Sequence, residues 1–427
     1  MKKYSFFLLF FLLSPGTGTS ALALDLAEMQ ETATENREII KRYQTSLEKS
    51  GREVERVRSG YYPSLNIGYQ ANNLDEAARF EHRQNSSVYA AASMNIFAGF
   101  KDRYGIESAK ILQKVDGYRL KGLEQDIQRN VALRYLSVYE RQANLTVAQD
   151  GLKTLKRLYR DGERRLQVGL IGKNELLKIK VDLDNSDITM KKGQADLDKS
   201  IQLLGREINR PVNLEDLAFE EFGILPELGE QELYKERMLK NRSELLALTG
   251  LAESASMLVK AEQGSYYPQV DLIGSYSRYD DDFINGNGEN SDEELRAQMV
   301  LSYTLFDGFA RESSVSMAKL TLGEFQYDID ELKNSLSTDL ANIFIDYRVS
   351  MANVEVAKED IRHAEENLRI TQLKYKQGLQ RESDLLDAVT NLSRARYNQV
   401  AVIRTVFENA FRVSRMVEEF RYHSSSQ

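Results

Sequence analysis

Cysteine is absent from the 427-residue sequence. Disulfide bonds are therefore excluded, so packing alone has to stabilise a chain that carries an export signal. A lipoprotein anchor is excluded as well, because acylation needs a cysteine directly after the signal.

Long apolar runs are absent once the N-terminus is passed. Lys2-Lys3, a short apolar core from Phe6 to Leu13 and the cleavage site Ala21-Leu22-Ala23 predict a secretory signal over residues 1–23. A membrane anchor is the alternative, but the apolar run is shorter than the ~20 residues that a spanning helix needs. No later stretch is long and apolar enough for a transmembrane helix.

Histidine is scarce and the chain is acidic. The three histidines, His82, His363 and His423, are scattered, so we expect no metal site. No nucleophile motif or P-loop occurs, which predicts a protein that is not an enzyme, with no catalytic residues and no cofactor. The formal net charge of −8 argues against nucleic acid as a partner.

Proline is also rare, and its positions reveal an internal duplication. Pro63 and Pro268 occupy matching places, 205 residues apart, and two more prolines lie between them. Phe97-Ala-Gly-Phe returns 209 residues later as Phe306-Asp-Gly-Phe. A repeat of this length is too long for a solenoid unit, so it predicts a duplicated half-molecule.

The duplication divides the chain into two structural repeats. We place them at 24–210 and 232–420, joined by a linker over 211–231 and followed by a tail over 421–427. Each repeat is expected to begin with one helix, over roughly 25–58 and 232–262.

Two alternating segments follow the first helix of each repeat. Leu65 to Ala71 and Val88 to Ile96 alternate in the first copy, on either side of a polar turn over 72–87. Val270 to Tyr276 and Met299 to Leu305 alternate in the second, around an acidic loop over 280–294. Period-2 alternation predicts β-hairpins, over about 64–97 and about 269–306.

The length of these strands suits a bilayer, since about ten tilted residues span one. The alternative is an ordinary half-buried hairpin of a soluble protein. Four strands cannot close a barrel, and an open sheet edge cannot face lipid. Several chains must then pool their strands, and three chains would supply twelve.

Long uninterrupted stretches follow the hairpins. Lys101 to Val168 and Ala310 to Gln377 contain 68 residues each, without proline and with few glycines. Each could extend about 100 Å as one helix. Apolar residues at 4/3 spacing predict a coiled-coil seam, with a globular helical bundle as the alternative. Each long helix ends at a glycine turn before a second helix, over roughly 173–208 and 382–420.

Four motifs stand out along the chain: Asn-Arg-x-Glu-Leu at 241–245, Tyr-Tyr-Pro at 61–63 and 266–268, Leu-Phe-Asp-Gly-Phe at 305–309, and Tyr-Lys-Gln-Gly-Leu-Gln-Arg-Glu-Ser-Asp-Leu-Leu-Asp-Ala from position 375. Together they resemble the motifs of TolC-type outer-membrane efflux proteins (outer membrane factors). The resemblance covers essentially the whole mature sequence.

The resemblance implies a mainly α fold with a β-barrel. A homotrimer would form a 12-stranded barrel in outer-membrane lipid, with four strands per chain, continued by a coiled-coil tunnel through the periplasm. The implied function is that of a passive exit duct for small molecules or drugs. A periplasmic adaptor (membrane fusion) protein would connect it to an inner-membrane transporter. The residues themselves predict strand number, helix length and export, whereas the trimer and the efflux role come from the resemblance.

Asp384 and Asp387 match the family's two periplasmic-entrance aspartates. In a trimer they would form two acidic rings one helical turn apart, which favour cations. The alternative is that both are first-turn acids favoured by the helix dipole. The first copy has Glu175 and Lys178 at these positions, so only the second copy would supply both rings.

In the family, a tyrosine and an arginine of the second helical hairpin hold the entrance closed against the first. Tyr375 matches the tyrosine, while Gln380 stands at the arginine position with Arg381 beside it. Either Arg381 replaces that arginine or the entrance is held shut more weakly. Our hypothesis is that Tyr375 pairs with Glu175 across the hairpins.

Two glycines mark the predicted hairpin tips. Gly169-Leu170 and Gly378-Leu379 are expected to form tight turns with positive φ. The resemblance implies that the adaptor docks on these tips.

Two other functions stay open at this point. A type I secretion duct would have the same fold and pass unfolded protein. A periplasmic coiled-coil structural protein without a pore would be an elongated dimer, in which the alternating hairpins have no role.

Overall fold

The computed structural model describes residues 24–420, except 77–81, 282 and 284–290. The signal predicted for 1–23, the tail over 421–427 and most of the acidic loop lie outside the described residues. None of the described helices combines the length and the apolar character that a membrane crossing requires.

One series of elements occurs twice along the chain. The first copy consists of α1 (Leu26–Asn36), α2 (Glu38–Arg58), β1 (Ser64–Asn73), β2 (Gln84–Ala98), α3 (Lys101–Gln167) and α4 (Lys173–Ile208). The second copy consists of α5 (Gln231–Asn241), α6 (Ser243–Gln263), β3 (Gln269–Asp280), β4 (Ser291–Ser302), α7 (Ala310–Lys376) and α8 (Glu382–Val417). Helices α3 and α7 have 67 residues each, and α4 and α8 have 36 each. Helix lengths therefore repeat with the sequence.

The initial helix of each copy is broken, which corrects the prediction of continuous helices. Arg37 and Arg242 both have extended backbone, with ψ of 125° and 115°. Each arginine side chain stabilises its break through an ion pair. Arg37 binds Glu207 at 2.8 Å, and Arg242 binds Glu244 at 2.9 Å. A break of one residue leaves the apolar periodicity almost unchanged, so the sequence pattern does not reveal it.

The four strands form one antiparallel sheet in the order β1-β2-β3-β4. Both hairpins have the same register. Ser64 pairs with Ser93, and Gln269 pairs with Ser302 at the matching positions of the second copy. Among the described residues, β1 and β4 each have a neighbouring strand on one side only. The sheet therefore has two open edges.

The strand bounds differ from the prediction at the polar ends. The strands extend into the predicted turn and acidic loop, since β1 reaches Asn73, β2 begins at Gln84 and β4 begins at Ser291. Polar residues fit here because the ladder uses backbone groups. The predicted second hairpin also ends early, since β4 stops at Ser302. Its partner strand begins at Gln269, directly after a proline that cannot donate to a ladder.

The main helical core joins the two copies. It includes Met29, Tyr135, Leu204 and Phe407, from α1, α3, α4 and α8, all buried. The segment between the copies packs against this core, and the ring of Phe222 lies 4.9 Å from that of Phe407. A separate apolar cluster joins the far ends of the helical hairpins.

Candidate functional site

The candidate site is the pair of tips of the first hairpin (α3 with α4) and the second hairpin (α7 with α8). Gly169 and Gly378 have φ of 74° and 75°, a left-handed conformation that glycine adopts without strain. In the first tip Leu170 N–H donates to the Arg165 carbonyl at 2.8 Å. In the second, Leu379 N–H donates to the Lys374 carbonyl at 2.9 Å. Both helices thus end in a Schellman turn.

Leu170 and Leu379 are exposed apolar side chains of the tips, with exposed fractions of 70% and 73%, and Val168 in the first tip is 70% exposed as well. Both leucines follow the turn glycine directly, so each tip presents an apolar side chain outward at the same place. The docking of an adaptor at these tips stays a prediction.

Acidic residues cap the helices that follow the tips. The Glu175 carboxylate accepts a hydrogen bond from Gly172 N–H at 3.1 Å. The Asp384 carboxylate accepts one from Arg381 N–H at 3.3 Å. Both carboxylates satisfy a backbone donor at a helix N-terminus and face its positive dipole end. Asp384 thus has a structural task within one chain.

Asp387 lies one turn beyond Asp384 and is exposed. It makes no hydrogen bond or ion pair with any other described residue. It lines a groove of about 540 Å³ between α4 and α8, together with the apolar Leu177, Val181 and Leu386. Asp387 therefore has a free carboxylate beside an amphipathic groove.

Tyr375 is buried at the junction of the two hairpins, with 5% of its surface exposed. The Arg165 guanidinium lies 4.6 Å from the centre of its ring. Arg165 also donates to the carbonyl oxygens of Tyr375 at 3.3 Å and Lys376 at 3.4 Å. Burial raises the pKa of the Tyr375 hydroxyl above its ordinary value, although the Arg165 charge acts in the opposite direction.

The hypothesis of a Tyr375–Glu175 hydrogen bond is wrong for the described chain. The buried Tyr375 hydroxyl has no hydrogen-bond partner among the described residues. Glu175 uses its carboxylate for the cap of α4 instead. Tyr375 joins the hairpins through its ring and backbone, not through its hydroxyl.

Gln380 and Arg381 do not supply the cation of this junction. Gln380 is half-buried, and Arg381 is exposed with no ion pair in the part of the chain that the structure describes. The cations come from the first hairpin, as Arg165 and Lys178. Lys178 binds the buried Glu382 carboxylate at 3.2 Å.

Sequence reasoning missed Arg165 and the Lys178–Glu382 pair as contacts. Arg165 lies in a run of basic residues, and Lys374, its counterpart in the second copy, has no such contact among the described residues. The only signal in the sequence was the position of Arg165, two residues before the end of α3, while Tyr375 lies one residue before the end of α7. An apolar cluster that includes Leu158, Ile179 and Leu385 supports these polar contacts.

Comparison with known families identifies one match. The family described as Outer membrane efflux protein matches residues 30–206 and 235–414. The two matched segments correspond to the two copies. No curated protein matches the sequence.

Solved structures share the fold at low sequence identity. The outer membrane protein VceC from Vibrio cholerae has a TM-score of 0.77 at 14% identity, covering 92% of this chain and 95% of that chain. The Campylobacter jejuni CmeC outer membrane channel has a TM-score of 0.77 at 14% identity, covering 94% and 87%. The open state of the Neisseria gonorrhoeae MtrE outer membrane channel has 0.76 at 16%, covering 95% and 93%. The predicted fold class, mainly α with four antiparallel strands per chain, is confirmed.

Proposed function

Because the chain belongs to the outer membrane efflux protein family, we propose that it is the outer-membrane exit duct of a tripartite efflux system. A homotrimer passively conducts small molecules or drugs to the outside. An inner-membrane transporter supplies them, and a periplasmic adaptor protein connects the transporter to the duct.

The open-edged sheet is the observation that carries this proposal. Strands β1 and β4 lack a neighbour on their outer sides among the described residues, and an unpaired edge cannot face lipid. Ile67, Leu295 and Met299 are 87%, 85% and 73% exposed on this sheet. Pairing β4 of one chain with β1 of the next chain satisfies the backbone groups at both edges and turns such side chains toward lipid.

The contact between the two copies within one chain indicates the register between chains. Ala90 of β2 pairs with Tyr276 of β3. Met299 has the position of Ala90 in the second copy, and Ala71 has the position of Tyr276 in the first. A ring that repeats the internal junction therefore pairs Met299 with Ala71 of the next chain.

An aromatic contact at the base of the sheet supports the same arrangement. Phe100 packs edge-on against Tyr267, with ring centres 5.9 Å apart. Phe309 is the counterpart of Phe100, and Tyr62 is the counterpart of Tyr267. These two rings are 68% and 66% exposed within one chain. In a trimer that repeats the internal junction they cover each other.

Cysteine cross-linking tests the trimer directly, because the natural chain has no cysteine. The double variant Ala71→Cys with Met299→Cys is expressed with its own signal and oxidised in outer-membrane fractions. We expect a covalent trimer on a denaturing gel, since opposed residues of paired strands are within disulfide distance.

Asn73→Cys with Met299→Cys is the matched control, about 7 Å out of register. It should give little cross-linking. Equal cross-linking of both variants would contradict the register, and a monomer in the soluble periplasmic fraction would contradict the duct itself.

We propose two tasks for the tips within this assembly. Asp384 and Asp387 of three chains form acidic rings at the entrance, with Asp387 as the freer carboxylate. Arg165 and Lys178 hold the second hairpin in the closed position through Tyr375 and Glu382, in place of a cation at position 380 or 381. The exposed Leu170 and Leu379 meet the adaptor at the turns around Gly169 and Gly378.

A susceptibility assay tests the efflux role. Deletion of the chain should sensitise cells to exported small molecules, and expression of the natural chain should restore resistance. If unfolded protein substrates accumulate in the cell while drug resistance is unchanged, the type I secretion alternative replaces this proposal.

A further inference from the structure

The end of the first hairpin carries a large positive charge in an acidic protein. Residues 153–180 contain nine Lys and Arg against three Asp and Glu, a formal excess of six positive charges. The matching residues 362–389 of the second hairpin contain five of each sign, so their formal charge is zero. The whole chain, by contrast, has a net charge of −8.

Four cations of this region form a line on α3, here called the basic stripe: Lys153, Lys156, Arg157 and Arg160. All four are exposed, on the face opposite the buried Leu152, Leu155 and Leu158. None of the four forms an ion pair with another described residue. The spacing of three and four residues places them along about 10 Å of one helix face.

The matching positions of α7 are neutralised within the chain. They are Arg362, Glu365, Glu366 and Arg369. Arg369 pairs with Glu366 at 2.7 Å, Glu365 pairs with Arg396 at 3.0 Å, and Arg362 pairs with Glu359. At the matching positions of α7, a neighbouring copy of the same chain would therefore bring acids that are already paired. This favours another molecule as the source of the counter-charge for the basic stripe.

Outer-membrane lipid is too distant to supply this charge. The basic stripe begins 52 residues into the 67-residue helix α3, which starts at the sheet. At 1.5 Å per residue the two are roughly 80 Å apart. Exposed apolar side chains lie nearer, with Val168 and Leu170 each 70% exposed and Leu177 53%. Arginine beside exposed apolar residues is typical of a protein interface.

We propose that the basic stripe is a docking surface for an acidic α-helical segment of a partner protein. Carboxylates at positions i, i+4 and i+7 of the partner helix oppose Lys153, Arg157 and Arg160. The inference rests on the proposed function, because it assigns the chemistry of the protein that meets the hairpin tips. It also assigns the polar part of that contact to the first hairpin alone.

Binding of a designed probe tests the proposal on the full-length trimer in detergent. The probe is a soluble two-helix coiled coil with glutamates at i, i+4 and i+7 of its outer face, and a glutamine version is the blank. The triple variant Lys153→Gln, Arg157→Gln, Arg160→Gln should bind the glutamate probe about tenfold more weakly at low salt. High salt should weaken the binding of the natural trimer in the same way.

A matched control removes three exposed cations near the sheet, through Lys110→Gln, Lys114→Gln and Lys319→Gln. It should bind the probe within about twofold of the natural trimer. Equal loss in both variants, or in neither, overturns the proposal. Loss of binding to phosphatidylglycerol vesicles with no change in probe binding overturns it too, in favour of a membrane surface.

Failure of this proposal is separable from failure of the proposed function. The triple variant should still form the cross-linked trimer and conduct ions when reconstituted. If the natural chain forms no trimer, the proposed duct is wrong. If the trimer conducts ions but does not bind the probe, only the proposal of an acidic partner is wrong.

Discussion

The two copies place different residues in the left-handed position that follows their last helices, α4 and α8. Asn209 directly follows α4 and Glu418 directly follows α8, with left-handed φ of 55° and 57°. Asparagine adopts this conformation more readily than most residues, and the Asn209 side-chain amide also donates to the carbonyl of Asn36 in α1 at 3.2 Å. Glutamate is uncommon there, so Glu418 needs other support.

That support is a buried ionic network around the end of α8. The Glu418 carboxylate accepts hydrogen bonds from Ser243 N–H at 2.6 Å and Ser243 O–H at 2.7 Å. Arg415 contacts Glu418, Asp126 at 2.8 Å and Glu244 at 2.6 Å. The network ties α3, α6 and α8 together. From this comparison we infer that the two copies share the left-handed backbone conformation after their last helices, whereas the side chains that stabilise it differ.

We expect the largest effect on stability from a substitution of Arg415 in this network. Arg415→Met removes the cation that Asp126, Glu244 and Glu418 share, and leaves Lys121, 3.1 Å away, as the ion-pair partner of the fully buried Glu418 side chain. It should lower the free energy of unfolding by about 3 kcal/mol. Arg206→Met is the matched control in the first copy, because Arg206 is exposed and has no ion pair within the described chain. It should change stability by less than about 0.5 kcal/mol.

Urea unfolding of the trimer, followed by circular dichroism at one protein concentration, measures both variants. If Arg415→Met and Arg206→Met shift the midpoint equally, the network contributes nothing specific to the second copy. The comparison of the two helix ends would then lose its energetic basis.

A smaller effect concerns the hairpin junction. Arg165→Ala removes the cation over the Tyr375 ring, a contact of about 1–2 kcal/mol, so the closed entrance should open about tenfold more often. Lys374→Ala is the control at the matching position of the second copy and should leave single-channel conductance unchanged. Higher conductance in Lys374→Ala than in Arg165→Ala would show that the first hairpin does not hold the junction.

The two aspartates that we propose for the entrance differ in the quantity that each variant should change. Asp384→Ala removes a helix cap and should destabilise the second hairpin by about 1 kcal/mol, as Glu175→Ala should destabilise the first. Asp387→Ala should leave stability unchanged and reduce the preference of the pore for cations. If the ion preference of the pore is unaltered in Asp387→Ala, the proposed acidic ring at position 387 is wrong.

The sequence predicts the long elements well because strong local signals delimit them. Helices α3 and α7 begin and end within one residue of the prediction. They follow a Gly-Phe turn and end at Gly169 or Gly378, and no proline interrupts them. The polar strand ends around Asn72 and Asn85 could not be predicted, since backbone pairing holds them and side-chain alternation does not.

The contacts of the candidate site are harder to predict than its position. The sequence predicts Glu175 and Asp384 as capping residues, because each lies a few residues after a glycine turn, at the start of a helix. The Arg165–Tyr375 contact depends on how two hairpins pack, and the repeat does not encode it because Lys374 has no equivalent contact in the described chain. The resemblance offered Arg381 or a weaker closure, whereas the cation beside Tyr375 within one chain is Arg165 of the first hairpin.

The smallest expected effect distinguishes the ring of Tyr375 from its hydroxyl. Tyr375→Phe keeps the ring beneath Arg165 and removes a buried hydroxyl that has no partner among the described residues. Conductance at neutral pH should be unchanged, because no hydrogen bond is lost. The free-energy difference between the closed and the open entrance should change by less than about 0.5 kcal/mol. Burial raises the pKa of this hydroxyl above its ordinary value, so the junction of the hairpins is fully stable below about pH 10 and weakens as pH rises through the raised pKa. Conductance recorded against pH should therefore rise above about pH 10 in the natural trimer and rise less in Tyr375→Phe. A large increase in conductance of Tyr375→Phe at neutral pH would instead mean that the hydroxyl bonds to a neighbouring chain.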